Sequence, residues 1–386
     1  MTGTRTLSRA EVLGFRWRAH GLDTDPGRAT IESIDILDLG IQDTGEGARW
    51  ALHNRGLAEA EPAESFHAEL FYAWTLRGAP HAYRRADAAA IAVATAPLDD
   101  RDAGKRIFDA AKPLRDKGIP FLEALTRVAK TERDIVTAPT VKGAMSSALT
   151  ARLPAEQLRF CRPCNTTHSY EQPFRIAALQ AGLELEPATS PPVLRRIPRL
   201  RAPMFGKPGT AAAPRFDVVR GYLRFFGPAR PKDVAAYLDA PPASVAAHWP
   251  ADTVAVRIDG AAGGKAGEAQ LLAEDADAAA AGPADSGRVR LLGAFDPWLQ
   301  LRDRELLVSD PARAKDLWRT LGRPGPVVRD GEVIGTWRPR SAGGTLNLLV
   351  APWSTWPRKV TDAVHEQAEA LAACRGSTMG KITVEN

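Results

Sequence analysis

Cysteine is scarce in this sequence, and long hydrophobic runs are missing. Only three of the 386 residues are cysteine, and this small odd number argues against a disulfide framework and for a reducing compartment. No stretch approaches the roughly 18 consecutive apolar residues that indicate a membrane helix. The N-terminal segment also lacks the uninterrupted apolar core of a signal peptide. These absences predict a cytoplasmic protein with no membrane contact.

Several catalytic signatures are absent as well. The sequence has no GxxxxGK[ST] phosphate loop, no GxGxxG after a predicted strand, and no evident Ser-His-Asp arrangement. ATPases and dinucleotide enzymes are therefore poorly supported. The composition, with 44% apolar and 25% charged residues, excludes wholesale disorder. At about 100–200 residues per domain, the length predicts two to four compact units.

Lysine is also uncommon, whereas arginine is abundant. Eleven of the 51 basic residues are lysine and 40 are arginine, a ratio that a GC-rich genome explains. The position of the charges needs another reason, because residues 195–232 hold ten basic residues and one acid, a net charge of +9. We call this segment the basic strip. It is either a solvated face or a phosphate-binding surface, since guanidinium groups bind phosphate oxygens and release counterions.

Local patterns predict the elements of the N-terminal half. Ser8 and Glu11 have the spacing of a capping box at the start of a helix over 7–21. Residues 71–85 are predicted to be extended, and residues 86–134 to be mainly helical.

Two later segments have the order helix, short turn, helix and strands. The first begins with a helix at 140–153. In the second, helices at 215–226, 231–238 and 242–249 precede an alternating strand at 253–258. Three short helices followed by a strand hairpin are the plan of a winged helix, whose second or third helix lies in a DNA groove.

The C-terminal third is predicted to be rich in strands. Residues 261–285 contain much Ala, Gly and Asp, which indicates a loop-bearing β insertion or a flexible arm. Strands dominate from residue 288, with a hairpin turn at Asp330-Gly331, and residues 360–375 form an amphipathic closing helix. This part of the chain predicts a small curved sheet or barrel.

Cys161, Cys164 and His168 have a C-x2-C-x3-H spacing that a zinc site could use. The sequence offers no clear fourth ligand close by. The candidates for that place are Glu171, Cys374 and His81. The alternative interpretation is two buried cysteines and a surface or hinge histidine. On balance we predict no metal and no cofactor.

Six sequence blocks connect the chain with a known family. They are LGIQDT with the following RWAL (39–52), WTLRGAPHAY (74–83), HSYEQPFRIAALQAGL (168–183), RGYLRFFGPARPKDVAAYL (220–238), LLGAFDPWLQLRDR (291–304) and VVRDGEVIGTWR (327–338). In this order they resemble the AlkZ/YcaQ-type winged-helix family of DNA glycosylases. The blocks span nearly the whole chain.

The resemblance implies an α+β fold in which tandem winged-helix units form a C-shaped clamp on DNA, with a C-terminal β-barrel-like domain. The units are a first winged-helix-like unit with the candidate catalytic loop (1–70), connecting strands and helices (71–135), a second winged-helix unit (136–200), a third (201–262), and the barrel-like domain with its closing helix (263–386). The implied activity is monofunctional excision of N-alkylated purines from double-stranded DNA, in some members from interstrand crosslinks. We expect a monomer associated with the nucleoid.

The family's catalytic motif is Gln, an apolar residue, then Gln or Asp, and it aligns with Gln42, Asp43 and Thr44. Alkylation at N7 makes the purine a cationic leaving group, so the enzyme has to hold a water beneath the sugar and stabilise an oxocarbenium-like state. Side chains at i and i+2 of an extended loop face the same way and can share that water. Gln42 matches the motif, whereas Asp43 and Thr44 depart from it.

This departure leaves two interpretations open. In the first, the chain is a glycosylase: Thr44 holds water but is a poor base, and Asp43, ionised near neutral pH, acts only if the loop turns it inward. In the second, residues 42–44 are a helix cap and turn, and the protein binds DNA without catalysis, as a regulator or a lesion-binding resistance factor. The expected DNA contacts are Arg195, Arg196, Arg199, Arg201, Lys207, Arg220, Arg224, Arg230, Lys232 and His168.

Overall fold

Helices and strands both occur throughout the described chain, often in runs of one kind, which confirms the predicted α+β class. The computed structural model describes residues 4–45, 47–58, 63–206, 212–259 and 267–385. Lys207 of the basic strip and residues 261–266 of the segment predicted as a β insertion or flexible arm lie outside these residues.

The helices of the described residues are α1 (Arg9–Ala19), α2 (Gly47–His53), α3 (Ala63–Glu69), α4 (Ala88–Thr95), α5 (Asp100–Arg106), α6 (Ala111–Asp116), α7 (Phe121–Ile135), α8 (Lys142–Thr150), α9 (Glu171–Gln180), α10 (Val218–Phe226), α11 (Pro231–Leu238), α12 (Pro242–Ala247), α13 (Ala276–Ala279), α14 (Arg304–Leu307), α15 (Pro311–Leu317) and α16 (Arg358–Cys374). None of them is long and apolar enough to cross a membrane.

The strands of the same residues are β1 (Arg5–Leu7), β2 (Ile41–Gln42), β3 (Leu70–Trp74), β4 (Pro80–Arg84), β5 (Thr140–Val141), β6 (Leu158–Cys161), β7 (Thr166–Ser169), β8 (Leu183–Leu185), β9 (Val193–Arg196), β10 (Thr253–Ile258), β11 (Gly267–Leu272), β12 (Val289–Leu291), β13 (Gly325–Arg329), β14 (Glu332–Ala342), β15 (Thr345–Pro352) and β16 (Thr378–Val384).

The first helix begins where the sequence predicts. The Ser8 hydroxyl accepts a hydrogen bond from the Glu11 N–H at 3.2 Å, and the Glu11 carboxylate accepts one from the Ser8 N–H at 2.7 Å. These reciprocal bonds satisfy amide groups that a helix start leaves without intrahelical partners. The capping box is therefore confirmed.

A six-stranded sheet organises the N-terminal half in the order β2-β4-β3-β8-β9-β5. Helix α9 packs on β3 and against α7. The register of β2 and β4 places Gln42 opposite His81, so the candidate catalytic loop leaves directly from a sheet edge. The strands come from both sides of the predicted unit boundaries at 70/71 and 135/136.

The three helices and the strand that the sequence predicts after residue 215 are all present. Helices α10, α11 and α12 precede the antiparallel pair of β10 and β11, and β1 joins β10 in parallel. A further bridge connects Ala229, between α10 and α11, with Gln270 on β11. The N-terminal strand thus completes a sheet that follows the helix trio.

The C-terminal sheet has the strand order β12-β13-β14-β15-β16 and packs on the closing helix α16. Val289, Trp337 and Val350 of the sheet belong to one buried apolar cluster with Val364 and Leu371 of α16. The two outer strands, β12 and β16, do not pair with each other in the described residues. The sheet is therefore open, a half-barrel instead of the closed barrel that the sequence also allowed.

Candidate active site

A cleft of about 830 Å³ opens where the chain leaves β2. Residues 42–45 line one side of it, and residues 293–296 and 373–376 line others. These segments are far apart in sequence, so the cleft exists only in the folded chain. A second cleft of about 600 Å³ shares Asp43, Thr44 and Tyr72 with the first.

Gln42 and Thr44 form a hydrogen-bonded pair at the edge of the cleft. The Gln42 side-chain Nε2 donates to the Thr44 Oγ1 at 2.9 Å, and both side chains line the cleft. The hydrogen bond holds the i and i+2 side chains together, although Thr44 lies in the turn that follows β2. The pair leaves the Gln42 amide oxygen as an acceptor and the Thr44 hydroxyl hydrogen as a donor.

Asp43 lies between this pair and helix α2. Its backbone N–H donates to the Pro80 carbonyl at 2.9 Å, which extends the pairing of β2 with β4. Its carboxylate Oδ1 accepts from the Ala48 N–H at 3.0 Å, in the first turn of α2. Asp43 also lines both clefts. The Asp43 carboxylate thus accepts an N–H of the first helical turn, as a cap does, and the residue also lines both clefts, so both interpretations of the sequence concern this residue.

Sequence reasoning missed a second polar pair on the cleft wall. The His67 Nδ1 and the Tyr72 hydroxyl lie 2.7 Å apart, and both residues line the cleft. Tyr72 is on β3 and pairs with Ala82 of β4, which pairs on its other side with Ile41 of β2. No spacing motif joins these residues to Gln42, because the sheet alone brings them together.

Aromatic rings and arginines form much of the remaining wall. The indole N–H groups of Trp50 and Trp337 donate to backbone carbonyls of Leu291 and Leu292, at 2.5 and 2.9 Å, so both rings are fixed. The Arg323 guanidinium lies 5.0 Å from the centre of the Phe295 ring. The two tryptophans are buried, whereas Phe295 and Arg323 are partly exposed; an aromatic face can stack with a base and a guanidinium group can bind a phosphate.

His81 is a core residue. It is 2% exposed, and its Nδ1 lies 3.0 Å from the Thr75 hydroxyl and 2.9 Å from the Ala79 carbonyl oxygen. Burial lowers the pKa of His81 to about 3, with the nearby Arg77 charge acting in the same direction. His81 is therefore neutral at physiological pH, and it does not line either cleft.

Several arginines of the basic strip bind carboxylates of the same chain. Arg220 pairs with Asp252 at 2.6 Å, Arg224 with Asp35 at 2.7 Å, and Arg230 with Asp233 at 2.8 Å. Arg195 contacts Glu184 at 3.1 Å, and Arg196 donates to two backbone carbonyls. Much of the strip's charge is thereby compensated.

Asp38 is the centre of a buried ionic cluster that includes Arg215 and Arg224 of the basic strip. Arg84, Arg215 and Arg224 all direct guanidinium nitrogens at its carboxylate. Asp38 itself is 4% exposed. These ion pairs connect the N-terminal half with α10 and with the segment that precedes it.

Arg199, Arg201 and Lys232 are different from the other strip residues. Within the described residues, no ion pair or side-chain hydrogen bond engages any of the three, and all three are exposed. Their charges are therefore available to an external partner. Among the predicted DNA contacts that the structure describes, they are the ones that phosphates could bind without breaking an internal pair.

His168 lies away from the cleft, on the β6–β7 hairpin. Its side chain and the thiols of Cys161 and Cys164 come together there, with all three ligand atoms within 4.8 Å of one another. The Cys164 backbone amide, and then His168, lower the pKa of the Cys161 thiol to about 7. Cys164 is exposed and Cys161 half-buried, so the cysteines are not the buried pair of the alternative interpretation.

The fold is that of a DNA glycosylase. "Streptomyces sahachiroi DNA glycosylase AlkZ" superposes with a TM-score of 0.67 over 98% of this chain and 100% of that one, at 18% sequence identity. The sequence model of the family described as "DNA glycosylase AlkZ-like" matches residues 37–374. The chain therefore belongs to the AlkZ-like DNA glycosylase family, as the six sequence blocks predict. No curated protein matches it.

Proposed function

We propose that the protein is a monofunctional glycosylase that hydrolyses the N-glycosidic bond of N-alkylated purines in duplex DNA. Family membership supports DNA as the substrate. The observation that carries the assignment to these residues is the Gln42–Thr44 hydrogen bond at the edge of a cleft of about 830 Å³. The pair stands at the family's motif position and leaves one acceptor and one donor for a water.

The chemistry follows from the charge of the leaving group. An N7- or N3-alkylated purine departs as a neutral base once its bond to the sugar breaks, so no acid is needed to protonate it. The remaining need is a water at the sugar and negative charge beside the oxocarbenium-like transition state. The Gln42 amide oxygen and the Thr44 hydroxyl orient the water. The Asp43 carboxylate supplies the charge and accepts the proton that the water loses as its oxygen bonds to the sugar carbon.

The binding surface in this proposal is a clamp of winged-helix units. The trio α10–α12 with the β10–β11 hairpin supports one such unit, since its order matches the winged-helix plan. Arg199, Arg201 and Lys232 are the exposed basic side chains that bind phosphates. In this proposal the protein acts as a monomer, at the nucleoid, and its clamp also accepts crosslinked DNA.

Base release from a duplex that contains N7-methylguanine tests the proposal. We expect Gln42→Ala to slow base release about 100-fold or more, because it removes the amide oxygen that orients the attacking water. Thr44→Val should slow release, and Thr44→Ser, which keeps the hydroxyl, should restore it. Binding to the same duplex is measured in parallel and should change little in all three variants.

The Asp43→Asn variant separates capping from catalysis. Asparagine caps helices about as well as aspartate, so the stability should stay near the wild-type value while release falls. Equal release by wild type and both Gln42→Ala and Asp43→Asn would refute the site. Binding without any release, on N7-methylguanine and then on a mustard crosslink, would favour the non-catalytic DNA-binding function to which the unusual Asp43 and Thr44 also point.

A further inference from the structure

We infer that Cys161, Cys164 and His168 bind a Zn²⁺ ion at the tip of the β6–β7 hairpin. Their ligand atoms lie within 4.8 Å of one another. Tetrahedral ligands at normal Zn–S and Zn–N bond lengths are roughly 3.5–3.8 Å apart. Side-chain rotations that shift these ligand atoms by about 1 Å would therefore bring all three to bonding distance from one ion.

The hairpin register explains why these residues meet. Arg159 pairs with His168 and Cys161 with Thr166, so Cys161 and His168 are diagonal neighbours on one face. The turn then returns Cys164 to the same place: its successor, Asn165, has a positive φ of 48° and donates its N–H to the Arg162 carbonyl at 3.2 Å. Asparagine tolerates this left-handed conformation better than most residues.

The orientation of the histidine ring fits metal binding. The His168 Nδ1 lies 2.8 Å from the Ser169 carbonyl oxygen, and only a protonated Nδ1 can donate to that acceptor. Nε2 then carries the lone pair. Metal-bound histidines commonly hold their other ring nitrogen in this way, on a backbone carbonyl that fixes the tautomer.

Packing offers no other reason for the two thiols to converge. Cys164 is exposed, Cys161 is half-buried, and Phe160 beside them is 61% exposed. The hairpin is a two-stranded sheet of its own, and two strands alone are marginally stable in water. A bound metal ion would stabilise the hairpin, which has few apolar contacts at its tip. Binding to a site that exists only in the folded chain adds its free energy to the stability of the fold.

In this site, water is the fourth ligand of the ion. None of the three candidates from the sequence supplies it: Glu171 accepts from Lys142 at 2.7 Å and from Arg175 at 2.6 Å, His81 lies in the sheet, and Cys374 lines the cleft. Within the described residues no further His, Cys, Asp or Glu joins the cluster. Two thiolates and one imidazole suit Zn²⁺ among the common metals.

Metal binding by the full-length protein tests this inference. The chain is purified under reducing conditions, stripped with a chelator and titrated with Zn²⁺, and with Co²⁺ as a spectroscopic probe of thiolate ligation. We expect one ion per chain and a cobalt–thiolate charge-transfer band. Cys161→Ser, Cys164→Ser and His168→Asn should each raise the Kd for Zn²⁺ at least about 100-fold. Cys374→Ser, which alters the one cysteine outside the hairpin, should bind Zn²⁺ like the wild type.

Amide hydrogen exchange of residues 158–169 in the wild type, with and without Zn²⁺, provides a test that does not require any variant to fold. Exchange there should slow when Zn²⁺ is added. Three results would overturn the inference: no cobalt band in the wild type, Zn²⁺ binding that all three hairpin substitutions leave unchanged, or a Cys161–Cys164 disulfide in the reduced preparation. Base release is not a readout here, so the result is independent of the proposed function.

Discussion

At the scale of single residues, three neighbours at the end of β2 have different environments. Gln42 and Thr44 join side chains across the cleft edge, whereas Asp43 accepts from the first turn of α2. All three residues line the same cleft, so they differ in their hydrogen-bond partners. The sequence predicted the shared side of Gln42 and Thr44, but the position of Asp43 depended on where α2 lies.

Glu132 is a buried carboxyl group whose charge the fold disfavours. It is fully buried on α7, and neither carboxylate oxygen has a hydrogen-bond partner in the described residues. Burial raises its pKa well above the ordinary value of 4.5. The folded state therefore holds this proton more tightly than the unfolded state does. Its contribution to stability is fully present below pH 4.5 and is lost as the pH rises toward the folded-state pKa.

We expect Glu132→Gln to increase the free energy of unfolding relative to the wild type, by an amount that grows as the pH rises. This difference in the free energy of unfolding grows by up to about 1.4 kcal/mol per pH unit between pH 4.5 and the folded-state pKa of Glu132. Urea unfolding of both proteins from pH 5 to pH 8 measures the difference. Glu123→Gln, at an exposed position of the same helix, is the control. A stability difference that does not vary with pH would contradict this account of Glu132.

At the scale of elements, the basic strip contains side chains of two kinds. Those on and beside α10 bind the carboxylates of Asp35, Asp38 and Asp252, which are distant in sequence. Those at Arg199, Arg201 and Lys232 have no such partner in the described part of the chain. The charge count alone could not separate them, because an ion pair depends on what the fold brings near.

Charge reversal should therefore have different effects at the two kinds of position. We expect Arg199→Glu with Lys232→Glu to weaken duplex binding and to reduce the salt slope by about one per lost phosphate contact, with little change in Tm. Arg224→Glu should lower Tm, because a carboxylate would then face Asp35 and Asp38. Salt-dependent binding isotherms and thermal unfolding measure both effects. Wild-type affinity and slope in the double variant would mean that the strip does not bind DNA.

At the scale of the whole molecule, a buried ion pair connects distant parts of the chain. Arg55 donates to both carboxylate oxygens of Asp296, each at 2.9 Å, and neither side chain is exposed. The pair joins the residues just after α2 to a segment, 293–296, that lines the cleft. The main apolar core has the same reach, since it includes residues from Leu13 to Val333.

Breaking this pair should destabilise the protein strongly. We expect Asp296→Ala to lower the free energy of unfolding by about 3–5 kcal/mol, because it leaves the Arg55 charge buried without its partner. Asp316→Ala removes the partner of Arg338 in a partly exposed pair and should cost at most about 1 kcal/mol. Urea unfolding at neutral pH compares the two. Similar losses in both variants would show that burial does not set the strength of these pairs.

Local sequence patterns predicted several of the elements, and the six sequence blocks predicted the family. The capping box at Ser8, the turn at Asp330-Gly331 and the helices after residue 215 rest on residues close together in the chain, so local propensity was enough to predict them. The same holds for the Cys161–His168 spacing, which a single hairpin brings together. Packing between distant segments set the walls of the cleft, the place of His67 and Tyr72 on those walls, and the partners of Arg215 and Arg224. Those depend on contacts between segments up to hundreds of residues apart, which only packing around a shared core selects.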